Sequence, residues 1–314
     1  MIKEGSNRSG KGVRLEDKLL QNEVLKYSNT VGVFTNVRHD VPPRTFDKEI
    51  HIVHDLTTFV TPEYHHNDTI EFHKKMVTRE YPVADVLLCN SQSTMTDLIN
   101  YGRVHNKQVV AYSHLAPDKL SQEDIKFLDE YKNLNLKNFI LILGTLEPRK
   151  NISIVLKMLH ENKNLIDDYD WIFVGRDGWM IDFNKELKKY KLTDYLNRNI
   201  YRFNYVSNNF KNILYKHAYL QIFPSFYEGF GLPVIEGISM GCPTIASYSS
   251  SLPEAGGKCT EYFNPYSSKD LMRAFNAMSK KLDEDKENLL TEMKDFSDKF
   301  DWKFFTDDLI KYTR

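Results

Sequence analysis

The sequence predicts an α/β protein built on doubly wound parallel sheets. Three observations carry this. Short, wholly apolar runs such as Phe139–Leu143 stop at a glycine, Gly144, as strands buried on both faces do. Segments with apolar residues at helical spacing lie between those runs, so strand and helix alternate. The chain has 314 residues, 41% hydrophobic and 27% charged, which is material for about two domains with buried cores.

The elements follow in chain order. In the first half, Val31–Thr35, Ile50–His54, Val86–Cys89 and Val109–Tyr112 read as strands. A helix is expected over Thr94–Tyr101, stopped by Gly102, with Thr94 and Asp97 at capping-box spacing. Residues 119–137 are charged and patternless and read as the linker between an N-terminal domain (1–118) and a C-terminal one (138–297). In the second half the expected strands are Phe139–Leu143, Trp171–Val174, Ile200–Phe203, Tyr219–Phe223 and Pro243–Ala246. Asn151 is expected to cap a helix carrying Ile152, Val155, Leu156 and Leu159, and Ser207 one carrying Phe210, Ile213 and Leu214. Residues 298–314 read as a final amphipathic helix that crosses back to the first domain.

Composition excludes several classes. Lys plus Arg is 42 against 43 for Asp plus Glu, so bulk charge does not drive nucleic-acid binding. No apolar run approaches the roughly 20 residues of a membrane span, and the first residues are polar rather than a signal peptide. The three cysteines, Cys89, Cys242 and Cys259, are widely spaced. They fit a reducing cytoplasm better than a disulfide framework or a metal site.

Two loops carry the chemistry. Pro224–Glu236 runs from a strand through Glu228, Gly229, Phe230, Gly231 and Leu232 into a helix, with Pro233 at its first turn and Gly241 beyond its end. The glycines let backbone N–H groups approach a ligand, the helix dipole favours an anion, and Glu228 and Glu236 flank the spot. Against this, Glu236 also reads as a favourable first-turn acid and Glu228 as a loop charge. The second loop, Gly144–Asn151, also joins strand to helix and carries Arg149 and Lys150, a pair suited to a diphosphate or to a plain solvated turn. Its place at a strand's carboxyl end, where open α/β sheets bind ligands, favours the former.

Glu228 and Glu236 form the E-x7-E pattern, and with Pro224–Gly237, Gly241–Ser247, Ser250–Glu254 and Gly256–Gly257 they resemble the retaining glycosyltransferases of GT-B architecture, family 4. Gly144–Asn151 resembles that family's phosphate loop, Val53–Leu56 its HDL segment, and Ala84–Ser91 its strand ending in serine. The resemblance implies two Rossmann-like domains facing across a cleft and a nucleotide-sugar donor. It implies that Glu228 contacts donor-sugar hydroxyls, Glu236 the ribose, and Arg149 and Lys150 the diphosphate. Backbone N–H groups from Gly229, Phe230, Gly231 and Leu232 would touch sugar and phosphate. His54 would face the reacting carbon, while Gly144, Gly175, Arg176, Val206 and Ser207 would surround the nucleotide. No metal or other cofactor is implied. The wording Ser250–Glu254 looks most like mannosyltransferases of surface-polysaccharide synthesis, so GDP-mannose is the first expected donor. The expected acceptor is a glycan or lipid-linked glycan, the latter placing the enzyme at the inner membrane face.

The start of the chain departs from the family. Only four residues precede Gly5, leaving no room for the family's first strand; loss of that strand, a longer parent chain or an oligomeric partner would each account for it. Gly10 and Gly12, followed by Leu15, Leu19, Leu20 and Val24, stand where the family's glycine loop and helix would be. Gly5–Lys11 also mimics a nucleoside-triphosphatase loop, but Gly12 replaces the hydroxyl residue that should hold Mg²⁺. An inactive GT-B scaffold, a phosphorylase and an epimerase are further alternatives. Eight of the ten histidines precede residue 119; His65, His66 and His73 among them suit an acceptor-facing surface better than a metal site.

Overall fold

The computed structural model describes residues 27–36, 44–118, 134 and 136–314. Gly5–Lys11, the Gly10 and Gly12 loop, His39 and most of the charged 119–137 segment lie outside the described residues. Two parallel sheets organise the rest, in agreement with the expected architecture.

The first sheet has the order β1 (Tyr27–Phe34), β2 (Phe46–Val53), β3 (Val86–Cys89) and β4 (Val109–Tyr112). The second contains β5 (Phe139–Leu143), β6 (Asp170–Val174), β7 (Ile200–Phe203), β8 (Leu220–Phe223), β9 (Thr244–Ser247) and β10 (Glu261–Phe263). Its order is β10-β9-β8-β5-β6-β7. Strand order therefore reverses between β5 and β8, and a crevice opens at their carboxyl ends.

Six helices matter below: α1 (Gln92–Tyr101), α2 (Ile152–Glu161), α3 (Asn208–His217), α4 (Leu232–Ser239), α5 (Ser268–Glu284) and α6 (Trp302–Thr313). Alternate residues of β5 show why the second sheet is covered twice. Ile140 and Ile142 join a core with Val155 and Leu159 of α2 and Phe275 and Met278 of α5. Phe139 and Leu141 point the other way, into a core with Phe210, Leu214 and Tyr215 of α3. Burial on both faces is what makes such a strand wholly apolar.

The first sheet is covered in the same way but partly by a distant segment. Val53, Leu87 and Cys89 pack with Leu98 of α1 on one face. On the other, Ile50, Ile52, Val86 and Leu88 pack against Phe305, Leu309 and Tyr312 of α6. Lys48 Nζ also donates to the Arg314 carbonyl at 2.9 Å. Among the described residues no helix is long and apolar enough to cross a membrane.

Three local expectations need correction. Helix α1 starts earlier than expected, because Ser91 rather than Thr94 is its cap, the Ser91 hydroxyl accepting from Thr94 N at 2.9 Å. Asn151 precedes α2 in a left-handed conformation (φ 53°) and makes no side-chain cap. Its carboxamide instead donates to the Pro224 and Pro265 carbonyls at 3.1 and 2.9 Å, tying together the loops after β5, β8 and β10. Strand β10 was not expected; three residues beginning with Glu261 give too short an apolar run. Ser207 caps α3 as expected, accepting from Phe210 N at 3.2 Å.

The packing of α6 yields a prediction. Leu309→Ala should cost about 2 kcal/mol in urea unfolding, at the low end for a partly buried leucine. Ile310→Ala, 44% exposed on the same helix, should stay within about 0.5 kcal/mol. Equal effects would show that α6 does not cover the first sheet in solution.

Candidate active site

The loops after β5 and β8 meet at the strand-order reversal. Phe226 N donates to the Arg149 carbonyl at 2.8 Å, joining them directly. This brings Arg149, Lys150 and Glu228 together, although 78 residues separate Lys150 from Glu228. Glu228 Oε1 lies 2.7 Å from Lys150 Nζ, and Oε2 lies 2.8 Å from Arg149 Nη1. Arg149 Nη2 also reaches Glu147 Oε1 at 2.5 Å, and Nη1 donates to the Tyr227 carbonyl at 2.7 Å.

The cluster is electrostatically balanced: two cations and two carboxylates sit in a cleft largely closed to solvent. Burial alone would push the Glu228 carboxyl up; the Lys150 and Arg149 charges outweigh that and hold it down at about 2. Burial works against the Arg149 guanidinium as well, and Glu228 and Glu147 reverse it, raising its pKa above the ordinary value. The backbone of Glu228 is fixed from the β9 loop. Its N–H donates to Ser250 Oγ at 2.8 Å, and Ser251 Oγ donates to its carbonyl at 2.9 Å.

A cavity of about 570 Å³ leads into this cluster. Gly144, Arg149, Lys150, Gly175, Arg176 and Val206 line it, so six of the expected residues share one space. Thr145, Glu147, Asn204, Tyr205 and Lys211 line it too and were not expected. Gly175 is required there: a Cβ would stand 1.9 Å from the Gly144 carbonyl oxygen. The Arg176 guanidinium lies 5.1 Å from the exposed Tyr205 ring at the rim. Ser207 is not among the lining residues. Glu236 accepts from Lys211 Nζ at 2.8 Å and from Tyr215 Oη at 3.2 Å, so its link to the cavity runs through Lys211.

The glycines of the β8 loop have structural reasons beyond ligand approach. Gly231 precedes α4 at φ 101°, and a Cβ there would meet Leu252 at 2.7 Å. A Cβ on Gly229 would stand 2.1 Å from the His54 carbonyl oxygen across the cleft. The Gly229 carbonyl accepts from Ser91 Oγ at 2.6 Å and Thr94 Oγ1 at 2.9 Å. Phe230 is buried and stacks on His114 at 5.4 Å, while Leu232 opens α4. His54 stands beside this loop with Nε2 2.8 Å from the Thr35 carbonyl oxygen.

Other contacts close the two domains on each other. Glu254 accepts from the backbone N–H groups of Gln92 and Ser93 at 2.7 and 2.8 Å, so a carboxylate of one domain caps α1 of the other. His114 Nε2 lies 3.0 Å from the same carboxylate. Tyr227 Oη donates to Asp97, the residue expected in a capping box. Trp179 Nε1 donates to the Tyr64 carbonyl at 2.7 Å, and the Tyr64 ring stacks on Phe226 at 5.1 Å. His65 follows, where burial and then the Arg149 charge lower its pKa. The cysteines are buried and free, with burial pushing Cys89 up to about 12. Among the described residues no group of His, Cys, Asp and Glu is arranged to hold a metal ion.

The family model described as Glycosyl transferases group 1 matches residues 124–295, more than half of the chain. The chain belongs to this family. It is 30% identical over 223 residues to O-antigen chain mannosyltransferase B of Escherichia coli, a match covering 68% of this chain and 57% of that protein. The chain thus spans little more than half the length of that relative. A glycosyltransferase from Rickettsia africae superposes with a TM-score of 0.69 at 16% identity, covering 99% of this chain and 83% of that one. HepE of Anabaena, solved in complex with UDP, superposes at 0.65 with 17% identity, covering 84% of this chain and 71% of that one. These likenesses establish the GT-B fold for the described domains.

The geometry makes two predictions. Removing the Glu228 charge leaves Lys150 without its carboxylate and Arg149 with Glu147 alone, so Glu228→Gln should cost about 3 kcal/mol near neutral pH. Because the folded pKa is depressed from 4.5 to about 2, the loss should be full above pH 4.5 and fade as pH falls toward 2. Denaturation of both proteins across that range measures this; a pH-independent difference would contradict the ion cluster. Gly229→Ala should force the cleft apart and raise amide exchange at Gln92 and Ser93 on the order of tenfold. Unchanged exchange would mean that the loop yields locally.

Proposed function

We propose that this chain transfers a hexose from a nucleotide-diphosphate sugar to a hydroxyl of a glycan or lipid-linked glycan, with retention at the anomeric carbon. The observation that carries the reading is the 570 Å³ cavity at the strand-order reversal, running into Arg149, Lys150 and Glu228. The Arg176–Tyr205 pair at its rim suits stacking of a base, and Lys211 with Glu236 suits a ribose. GDP-mannose is the first donor to test, a choice supported by the printed name of the Escherichia coli relative.

Glu228 pairs with both cations. An arriving diphosphate replaces it, since phosphate oxygens offer Arg149 and Lys150 more charge at the same spot. The freed carboxylate then accepts hydrogen bonds from donor-sugar hydroxyls. The bond between the anomeric carbon and the diphosphate oxygen breaks, the acceptor oxygen bonds to that carbon on the same face, and its proton passes to the departing diphosphate. Arg149 and Lys150 stabilise the charge that grows on the leaving group. His54, beside Gly229, stands by the reacting carbon in this arrangement.

A thermal-shift screen with GDP, UDP, dTDP and ADP tests the donor site. One nucleotide at about a hundredfold over its Kd should add about 2.7 kcal/mol of stability. With a sugar nucleotide and acceptor, Lys150→Ala should lower kcat by about 10²–10³. If no nucleotide stabilises the protein, or Lys150→Ala keeps full transfer, the reading fails.

A further inference from the structure

The carboxyl edge of the second sheet carries a second cavity of about 590 Å³, on the other side of the ion cluster. The loops after β5, β6 and β7 surround the first cavity. Those after β8, β9 and β10 surround this one, with Phe226, Tyr248, Ser249, Tyr262, Asn264 and Tyr266 in its wall. It adjoins the ion cluster through the chain itself, because Phe226 lies two residues before Glu228 and Ser249 precedes the Ser250 that holds Glu228 N.

The wall is aromatic in a particular way. Tyr248 and Tyr266 are 70% and 73% exposed, so both rings present open faces to this cavity. Tyr266 lies 4.9 Å from Phe226, which stacks in turn on Tyr64 of the first domain, and Tyr248 meets Tyr262 edge-on at 5.7 Å. The β10 loop holds its shape through local bonds: Tyr266 N donates to Asn264 Oδ1 at 3.0 Å, and Asn264 N to Asp270 Oδ2 at 2.7 Å. Asp270 is the one charged residue of the lining, and Arg273 Nε pairs with it at 2.6 Å. The cavity therefore offers fixed ring faces and polar edges without spare charge.

A pyranose matches that chemistry, since its C–H face packs on aromatic rings while its hydroxyls reach polar groups. The cavity adjoins the loop that carries Glu228, so a glycan whose terminal hydroxyl reaches the reacting carbon can lay a further residue along these rings. We propose that this second cavity binds a sugar residue of a neutral glycan acceptor, set back from the reacting hydroxyl. The proposal rests on the transferase reading and adds a subsite on the C-terminal domain.

The test titrates mannotetraose, cellotetraose and tetragalacturonic acid into the full chain, with and without GDP, by calorimetry and saturation-transfer NMR. At least one neutral tetrasaccharide should bind, and tetragalacturonic acid should bind no better. Tyr266→Ala and Tyr248→Ala should each weaken binding by about 5- to 10-fold, while Tyr266→Phe stays within about twofold. Nucleotide stabilisation should be unchanged in all three variants. Failure of both neutral tetrasaccharides to bind, tighter binding of tetragalacturonic acid, or binding indifferent to both alanine variants overturns the proposal. Tetrasaccharide binding without any nucleotide stabilisation overturns the transferase reading instead.

Discussion

A carboxylate held between two cations at the carboxyl edge of a parallel sheet is the constraint on which the rest of the structure depends. Glu228 needs Arg149 and Lys150 because a lone buried carboxylate would cost several kcal/mol. Those cations need Glu228 and Glu147 for the same reason. The reversal between β5 and β8 is what brings the two loops together, and Asn151 gives up its role as a helix cap to bind them. The β9 serines fix the backbone of Glu228 from a third side. A site held by balanced charge leaves no buried ion without a counter-charge.

The contact between the domains has a different character. It rests on hydrogen bonds: Ser91 and Thr94 to the Gly229 carbonyl, Glu254 to the first N–H groups of α1, Tyr227 to Asp97 and Trp179 to the Tyr64 carbonyl. The neutral bonds contribute about 0.5–1.5 kcal/mol net each and those to the Glu254 and Asp97 carboxylates about 1.5–3, because water can replace them when the surfaces part. Apart from Leu115 and Ala116, which pack on the core of the second domain, and the ring contacts of Tyr64 with Phe226 and His114 with Phe230, the hydrophobic cores lie inside each domain. Polar closure of this kind lets a cleft admit large ligands without unfolding anything.

Much of this was legible in the sequence, for a physical reason. Strands buried on both faces must be apolar throughout, so β3 and β5 stand where their runs stand; β4 and β7 also stand where expected, although they are only partly buried. Arg149, Lys150 and Glu228 were legible as candidates because they sit in loops after such strands; their pairing with one another, and the part of Glu147, were not. Residues that act across long separations were not. Glu254 reads as a first-turn acid of its own short helix, yet it caps α1 across the cleft. Lys211 looks like one more exposed lysine of an amphipathic helix until the fold turns it toward Glu236. The left-handed turn at Asn151 leaves no mark on the pattern of apolar residues.

Helix α6 belongs to the end of the chain but covers the sheet at its beginning. The polypeptide thus passes from the first domain to the second after β4 and returns before α6. A single tether would let the domains swivel and drift apart. Two crossings anchor the pair at two points, suppress rotation about the tether and leave one easy motion, a jaw-like swing about the line joining the crossings. The loops that carry Glu228 and His54 come from opposite domains, so such a swing changes the distance between them.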